Sequence, residues 1–359
     1  MILKKFDKNY NFVSVFNTEN GFYMRTGILN SSGKDTGIEA FQSSFPELID
    51  IGIMGHCIHG KSGLCLKAGV QCYQNGMNIQ DENMSLENYI RIIDEIKGKT
   101  FQVALGGRGD PNKHENFAEI LKYTWMNNIV PNYTTSGFLL DEVEVELTKK
   151  YCGAVAVSWY SEEYTIEAID MFKNSGVKVN IHYVLSDKSI EKALYMLKNN
   201  SFPNGINAVI FLIHKPVGLG KEDNVLKYED IPVRSFFSNI MSKKYPFKIG
   251  FDSCSVPALI NFNNNFNICS IDTCEAARWS MYITPDMKAL PCSFDQELKW
   301  SVDLKDKSID DAWNSDIFEN FRNKLKKSCP HCREKVNCMG GCPLCRSIIL
   351  CNREEMYKL

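Results

Sequence analysis

Between about residues 47 and 251 the chain alternates two hydrophobic patterns. Short β-branched and apolar runs predict strands over 48–53, 101–105, 129–135, 154–159, 177–184 and 208–213. Between them, apolar positions spaced three and four apart predict helices. One is capped by Ser85 and runs through Ile92, Ile93 and Ile96, and the next uses Phe117, Ile120, Leu121 and Trp125. Others cover 143–150, 166–174 and 190–198. Six βα units in this order predict an α/β fold, a parallel, partial (β/α)6 TIM-like barrel with its function at the C-terminal strand ends. Ahead of the barrel, residues 1–46 contain runs 12–16 and 22–26 around Asn20-Gly21, which predicts a small hairpin. Residues 252–359 lack this alternation and form a third segment.

Composition narrows the class. Hydrophobic residues make up 44% and charged residues 23% of the 359, ordinary for a globular protein. The formal net charge of -2 gives no support to a nucleic-acid partner. No run approaches the roughly 18 apolar residues of a membrane span. The first residues, MILKKFDKNYNFVSVF, lack the apolar core of a signal peptide, so a cytoplasmic location is expected.

The 14 cysteines change the picture. Disulfides are rare in that compartment, so the surplus argues for metal. Cys57, Cys65 and Cys72 share one glycine-dotted loop after the first barrel strand, and ten more lie between Cys254 and Cys351. Three thiolates with an open fourth position suit an iron–sulfur cluster that binds a ligand at one iron. A structural zinc would need a fourth protein ligand, and His56 or His59 is at hand. Cys152 begins a strand on this reading, as a buried inert thiol. His182, inside a strand, reads more readily as a satisfied core histidine than as a ligand.

The cysteine loop resembles the radical S-adenosylmethionine enzymes, in which a triad follows the first barrel strand and an aromatic, here Tyr73, sits beside the third cysteine. The spacing is wider: seven residues separate Cys57 from Cys65 and six separate Cys65 from Cys72, where three and two are usual. A longer loop closes at little extra entropy cost. Gly106-Gly107-Arg108-Gly109-Asp110 after the second strand resembles the family's second motif, whose glycines and acid hold the methionine amino group; as bare sequence it also reads as a glycine turn capping a helix. Thr135 in Thr134-Thr135-Ser136-Gly137, Ser158 ending the fourth strand and the loop 215–221 match further cofactor-binding positions. The resemblance implies one SAM-binding 4Fe-4S cluster, S-adenosylmethionine, a one-electron donor such as flavodoxin or ferredoxin, and a 5′-deoxyadenosyl radical.

The C-terminal array, Cys329-Pro-His-Cys332 and Cys338-Met-Gly-Gly-Cys342 with the Ala312-Trp313-Asn314-Ser315 helix start, resembles the SPASM extension with two auxiliary clusters. Met287 stands where that family usually has glycine. Carried over by position, Cys269, Cys274, Cys292 and Cys342 hold the first cluster. Cys329, Cys332 and Cys338 hold the second, completed by Cys351 or Cys345. Cys254 has no assignment, and two zinc knuckles are the plainer alternative. The resemblance divides the chain into the hairpin segment 1–46, a core barrel 47–251 and a SPASM domain 252–359. It implies a maturase that crosslinks, epimerises or rearranges a ribosomally made precursor peptide, with a separate leader-recognition protein as a further expected partner. A sulfatase-maturing protein oxidase is a rival, although Ser293 follows Cys292 where that group has its aspartate. Asp295 is then the nearest candidate catalytic acid. A small-molecule radical oxidoreductase and a non-enzymatic iron–sulfur protein complete the alternatives.

Overall fold

The computed structural model describes residues 1–240, 243–262, 267 and 270–352. Among these, the N-terminal segment is a three-stranded antiparallel sheet, one strand more than the expected hairpin. Strand β1 (Ile2–Asp7) pairs with β2 (Phe12–Asn17), and β2 pairs with β3 (Tyr23–Arg25). Its β2–β3 turn lies against the N-terminal end of the barrel. Thr18, Asn20 and Gly21 line an interior space there with Asn132, Asn180 and His182, and Lys178 Nζ donates to the Glu19 carbonyl.

The six expected barrel strands are present: β4 (Leu48–Met54), β5 (Gln102–Gly107), β6 (Val130–Thr135), β7 (Val155–Ser158), β8 (Val179–Leu185) and β9 (Ala208–Ile213). They pair in parallel in sequence order. A seventh, β10 (Lys248–Phe251), adds beside β9. From the C-terminal region β11 (Ser280–Ile283) pairs in parallel with β4, and β12 (Lys288–Leu290) and β13 (Val302–Asp303) follow antiparallel. One ten-stranded sheet therefore crosses the expected boundary at residue 252.

Strand alternation sorts the side chains by face. Ile49, Ile51 and Ile53 of β4 are fully buried in the same core as Ile92, Ile93 and Ile96 of the covering helix. Each such burial contributes about 1.5–3 kcal/mol. The alternate positions, Asp50 and Gly52 on β4 with Gln102, Asn132, Thr134, Asn180 and His182 on the next strands, face the barrel interior. That interior is polar. The helices α1 (Leu64–Lys67), α2 (Leu86–Ile96), α3 (Phe117–Met126), α4 (Glu142–Tyr151), α5 (Glu163–Asn174), α6 (Ile190–Lys198) and α7 (Ile231–Asn239) run between strands. Cys152 does not begin a strand; it is the C-cap of α4, with its N–H on the Thr148 carbonyl. Burial pushes its thiol above the ordinary range, as expected of an inert one.

The C-terminal segment holds α8 (Val256–Phe262), α9 (Ile309–Trp313), α10 (Asp316–Lys327) and α11 (Lys335–Cys338). Its anchor is Trp313, fully buried, whose Nε1 donates to the Ser43 carbonyl at 3.1 Å. Buried Arg322 donates through Nη2 to the Trp313 carbonyl at 2.8 Å and through Nε to the Ala277 carbonyl at 2.6 Å. Met287 forms the β11–β12 turn at φ 65, the left-handed region that favours glycine, and its side chain is buried. Burial offsets the strain of about 1–2 kcal/mol.

Candidate functional site

The loop after β4 brings Cys57, Cys65 (on α1) and Cys72 around one hollow, closed by Gly60, Gly63, Gly76 and Leu64. The wide spacing does not keep them apart, because the loop folds back on itself. At Gly76 an added Cβ would lie 3.0 Å from the Cys57 Cβ and 2.7 Å from the Arg108 carbonyl, so only glycine fits the approach. From the other side Gly218, at φ +62, seats the 215–221 loop on the Cys72 and Tyr73 carbonyls, and Leu219 N donates to Cys72 O at 3.0 Å.

Burial raises the Cys57 thiol and pushes Cys65 up to about 11. Thiolates at such a site need a positive group to compensate them, which iron supplies. Of the two histidines offered for a zinc, His59 lines the same hollow and His56 does not. His59 Nε2 lies 3.4 Å from Asp110 Oδ2, and His56 Nδ1 lies 3.1 Å from the Asp81 carbonyl. Among the described residues no three Cys, His, Asp or Glu groups are gathered as a single metal ion requires. A four-iron cluster spreads its sulfur ligands over separate metal atoms, and three thiols lining one hollow suit that arrangement.

The second motif lies alongside. Gly107 at φ 115 packs on Met54, and a Cβ on Gly109 would meet the His56 carbonyl at 2.7 Å. Gly106 has open space on its Cβ side. Asp110 accepts from Ser136 N at 2.9 Å and from Ser136 Oγ at 2.5 Å, so the β6 loop fixes the carboxylate beside the triad. Thr135 is buried and its Oγ1 accepts from Gly137 N at 3.1 Å. Ser158 lies at the end of β7, and its hydroxyl bonds Tyr160. The Tyr160 hydroxyl lies 3.2 Å from Cys65 Sγ. His182 is turned inward, its Nδ1 3.4 Å from Thr134 Oγ1, and burial lowers it to about 4.

Two further cysteine sets form in the C-terminal segment. Cys329, Cys332, Cys338 and Cys351 surround a second hollow. Cys351, not Cys345, completes this set. Cys345 sits instead beside Cys342, its N–H donating to Cys342 Sγ at 3.3 Å. The other set gathers Cys254 with Cys274, Cys292 and Cys342. Cys254, in the turn after β10, shares a sulfur–sulfur hydrogen bond with Cys342, and its charge acts on Cys274 and Cys292. Cys269 lies outside the described residues. Lys215, at the end of β9, is buried against this set. Burial alone would lower its ammonium, but Asp252 at 2.7 Å and the neighbouring cysteines outweigh it and raise it.

Residues 274–339 match the SPASM family, an iron-sulfur cluster-binding domain. The whole structure is similar to SuiB of Streptococcus suis bound to precursor peptide SuiA, at 16% identity and a TM-score of 0.69 over 95% of this chain and 94% of that one. It is similar also to SuiB bound to S-adenosylmethionine (19% identity, 84% and 74% covered, TM-score 0.64). A third likeness is to anSMEcpe with bound AdoMet (17% identity, 87% and 91% covered, TM-score 0.62). The chain carries a SPASM domain on a radical S-adenosylmethionine fold. Among curated proteins none matches this sequence.

The SPASM domain is wired to the barrel loop through aromatic contacts. Phe294, two residues after Cys292, packs on Tyr73, next to Cys72, with ring centroids 4.4 Å apart. Lys215 Nζ stands 4.3 Å from the Phe294 ring. Asp295 does not face this junction freely: its carboxylate accepts from Lys299 N at 3.2 Å and Trp300 N at 2.7 Å, closing its own turn. Sequence reasoning missed Ser136, Tyr160, Lys215 and the placement of Cys254. Ser136 and Lys215 carried a signal, each lying in a loop already singled out, after the third and the sixth strand.

Proposed function

We propose that this chain is a radical S-adenosylmethionine maturase that modifies a ribosomally made peptide. The observation that carries the reading is the convergence, at the C-terminal ends of β4, β5 and β6, of a hollow lined by three thiols with a carboxylate fixed beside it. Cys57, Cys65 and Cys72 would hold a 4Fe-4S cluster, and Asp110, with Gly106, Gly107 and Gly109, the amino group of S-adenosylmethionine. Thr135 and Ser158 complete the cofactor's surroundings on this reading. Bound together, the two groups supply a carbon radical able to remove hydrogen from an unactivated position.

The chain's own part is positional. Ser136 orients Asp110, Tyr160 donates toward Cys65, and the glycines let backbone close over the site. The two SPASM sets would hold auxiliary 4Fe-4S clusters able to pass or accept single electrons. The peptide reading draws on the likeness to SuiB solved with precursor peptide SuiA and to anSMEcpe solved with AdoMet and the Cp18Cys peptide. The test is to incubate the anaerobically reconstituted, reduced protein with short peptides encoded beside its gene and to read their masses. A mass change accompanied by 5′-deoxyadenosine supports the proposal. Deoxyadenosine release stimulated by a small metabolite, with every peptide unchanged, moves the chain to the small-molecule class.

A further inference from the structure

Charge is distributed unevenly over this chain. Its net charge is -2, yet residues 320–346 carry seven Lys and Arg against one acid, Glu334. The excess gathers along a groove between α10 and the cysteine-rich loops, where Lys324, Lys327 and Arg346 are exposed. Among the described residues none of these three has an acidic partner; Lys324 Nζ donates to the Pro343 carbonyl at 3.1 Å. The same groove is lined by Cys329 of one SPASM set and Cys342 of the other. Cations held together without counter-charges repel one another at a cost, so an anionic occupant relieves them.

We propose that this groove docks an acidic one-electron carrier protein, which delivers electrons to the chain through the SPASM sets. The proposal rests on the radical reading above and deepens it by naming the docking face. An acidic carrier is favoured over an acidic substrate segment because the cations frame cluster-binding cysteines, not the barrel mouth. A contiguous route leads inward from the groove. Cys342 bonds Cys254, Cys292 belongs to the same set, and Phe294 two residues on packs against Tyr73 beside Cys72. Each transfer would move one electron: flavodoxin hydroquinone would be oxidised to the semiquinone, and a cluster held by the set of Cys329 or of Cys342 would be reduced.

The experiment drives 5′-deoxyadenosine formation in the reconstituted full chain in two ways, with dithionite and with a reduced acidic flavodoxin. It compares the native protein with a Lys324→Glu, Lys327→Glu, Arg346→Glu variant. We expect the flavodoxin KM of the variant to rise about tenfold or more and to lose its salt dependence, while the dithionite-driven rate stays within about twofold. If the reversed variant binds less iron than the native chain, the neutral Lys327→Gln, Arg346→Gln variant replaces it, with a smaller rise expected. An unchanged flavodoxin KM at full iron content overturns the docking face. So does equal competition by a short polyglutamate peptide, which would make the groove a general anion surface. Failure of dithionite to support any cleavage in the native chain overturns the radical reading itself, a separate outcome.

Discussion

Replacing Cys254 by alanine should empty one auxiliary site. The four sulfurs of Cys254, Cys274, Cys292 and Cys342 are buried together, with the thiols of Cys254 and Cys274 pushed up, Cys274 to about 12. Two thiolates about 4 Å apart repel by about 4 kcal/mol at an effective dielectric of 20. Lys215, already engaged by Asp252, is one ammonium against several such charges. Four buried cysteines in this arrangement are therefore stable as thiolates only around a cationic metal, and on the iron–sulfur reading each would supply one ligand. With Cys254 gone, three remain and one iron loses its protein ligand; unlike the open iron of the triad, which S-adenosylmethionine would cover, it has no other ligand to protect it. Iron per chain after anaerobic reconstitution should fall from about twelve to about eight, with the auxiliary Mössbauer signal reduced by half. Cys269→Ala, the change that spacing alone points to, should stay near twelve. Because Cys345 lies beside Cys342 and could substitute, the Cys254→Ala, Cys345→Ala pair closes that route. Full iron in the double variant together with a loss of about four irons in Cys269→Ala would refute the assignment.

Other expectations follow from single contacts. Tyr160→Phe removes a hydrogen bond to Cys65 Sγ, so the triad's cluster should titrate at a lower potential by EPR; an unchanged midpoint would leave Tyr160 with packing alone. Lys215→Met removes the ammonium partner of half-buried Asp252, which still accepts from Ile213 N and Ser255 Oγ, and should cost about 1–3 kcal/mol in chemical unfolding, with Asp252→Asn on the same background restoring part of it. Asp110→Asn should weaken S-adenosylmethionine binding by about tenfold or more, read by calorimetry, with product identity unchanged. Asp50 is held up at about 7 by burial, above the ordinary 3.8. The native state therefore keeps a proton that the unfolded chain releases, and stability falls as pH rises from about 4 to about 7, staying low above that. Asp50→Asn should remove a penalty of roughly 2–4 kcal/mol at pH 8 and almost none at pH 3.5; equal effects at both would show that Asp50 is not held protonated.

Much of the fold was legible because the barrel strands are buried on one face and polar on the other, so alternation fixes both their existence and their facing. The strand at 248–251 escaped notice because it is four residues long and carries lysine and glycine, and its place comes from pairing with β9. The triad was legible as a group of cysteines despite its spacing, since the loop's glycines permit the fold-back that brings them together. Cys254 was not legible. It stands outside the dense array, and what delivers it to Cys342 is the end of β10, which no spacing rule encodes. Ser136 and Tyr160 are ordinary loop residues in sequence, and their roles come from which strand ends are neighbours. The N-terminal hairpin was read correctly at its Asn-Gly turn. Its extra strand, with exposed Ile2 and Phe6 and alternate positions only half-buried, gave too weak an alternation to be read as a strand.

The central claim is that the loop cysteines and the acid beside them form a site for reductive cleavage of S-adenosylmethionine. The most direct measurement is 5′-deoxyadenosine formation under dithionite by the reconstituted native chain and by its Cys57→Ala, Cys65→Ala, Cys72→Ala variant. The account predicts steady formation by the native chain and none by the variant, whose auxiliary cluster spectra persist. Equal formation by both, or none by a native chain that holds about twelve irons, would contradict it.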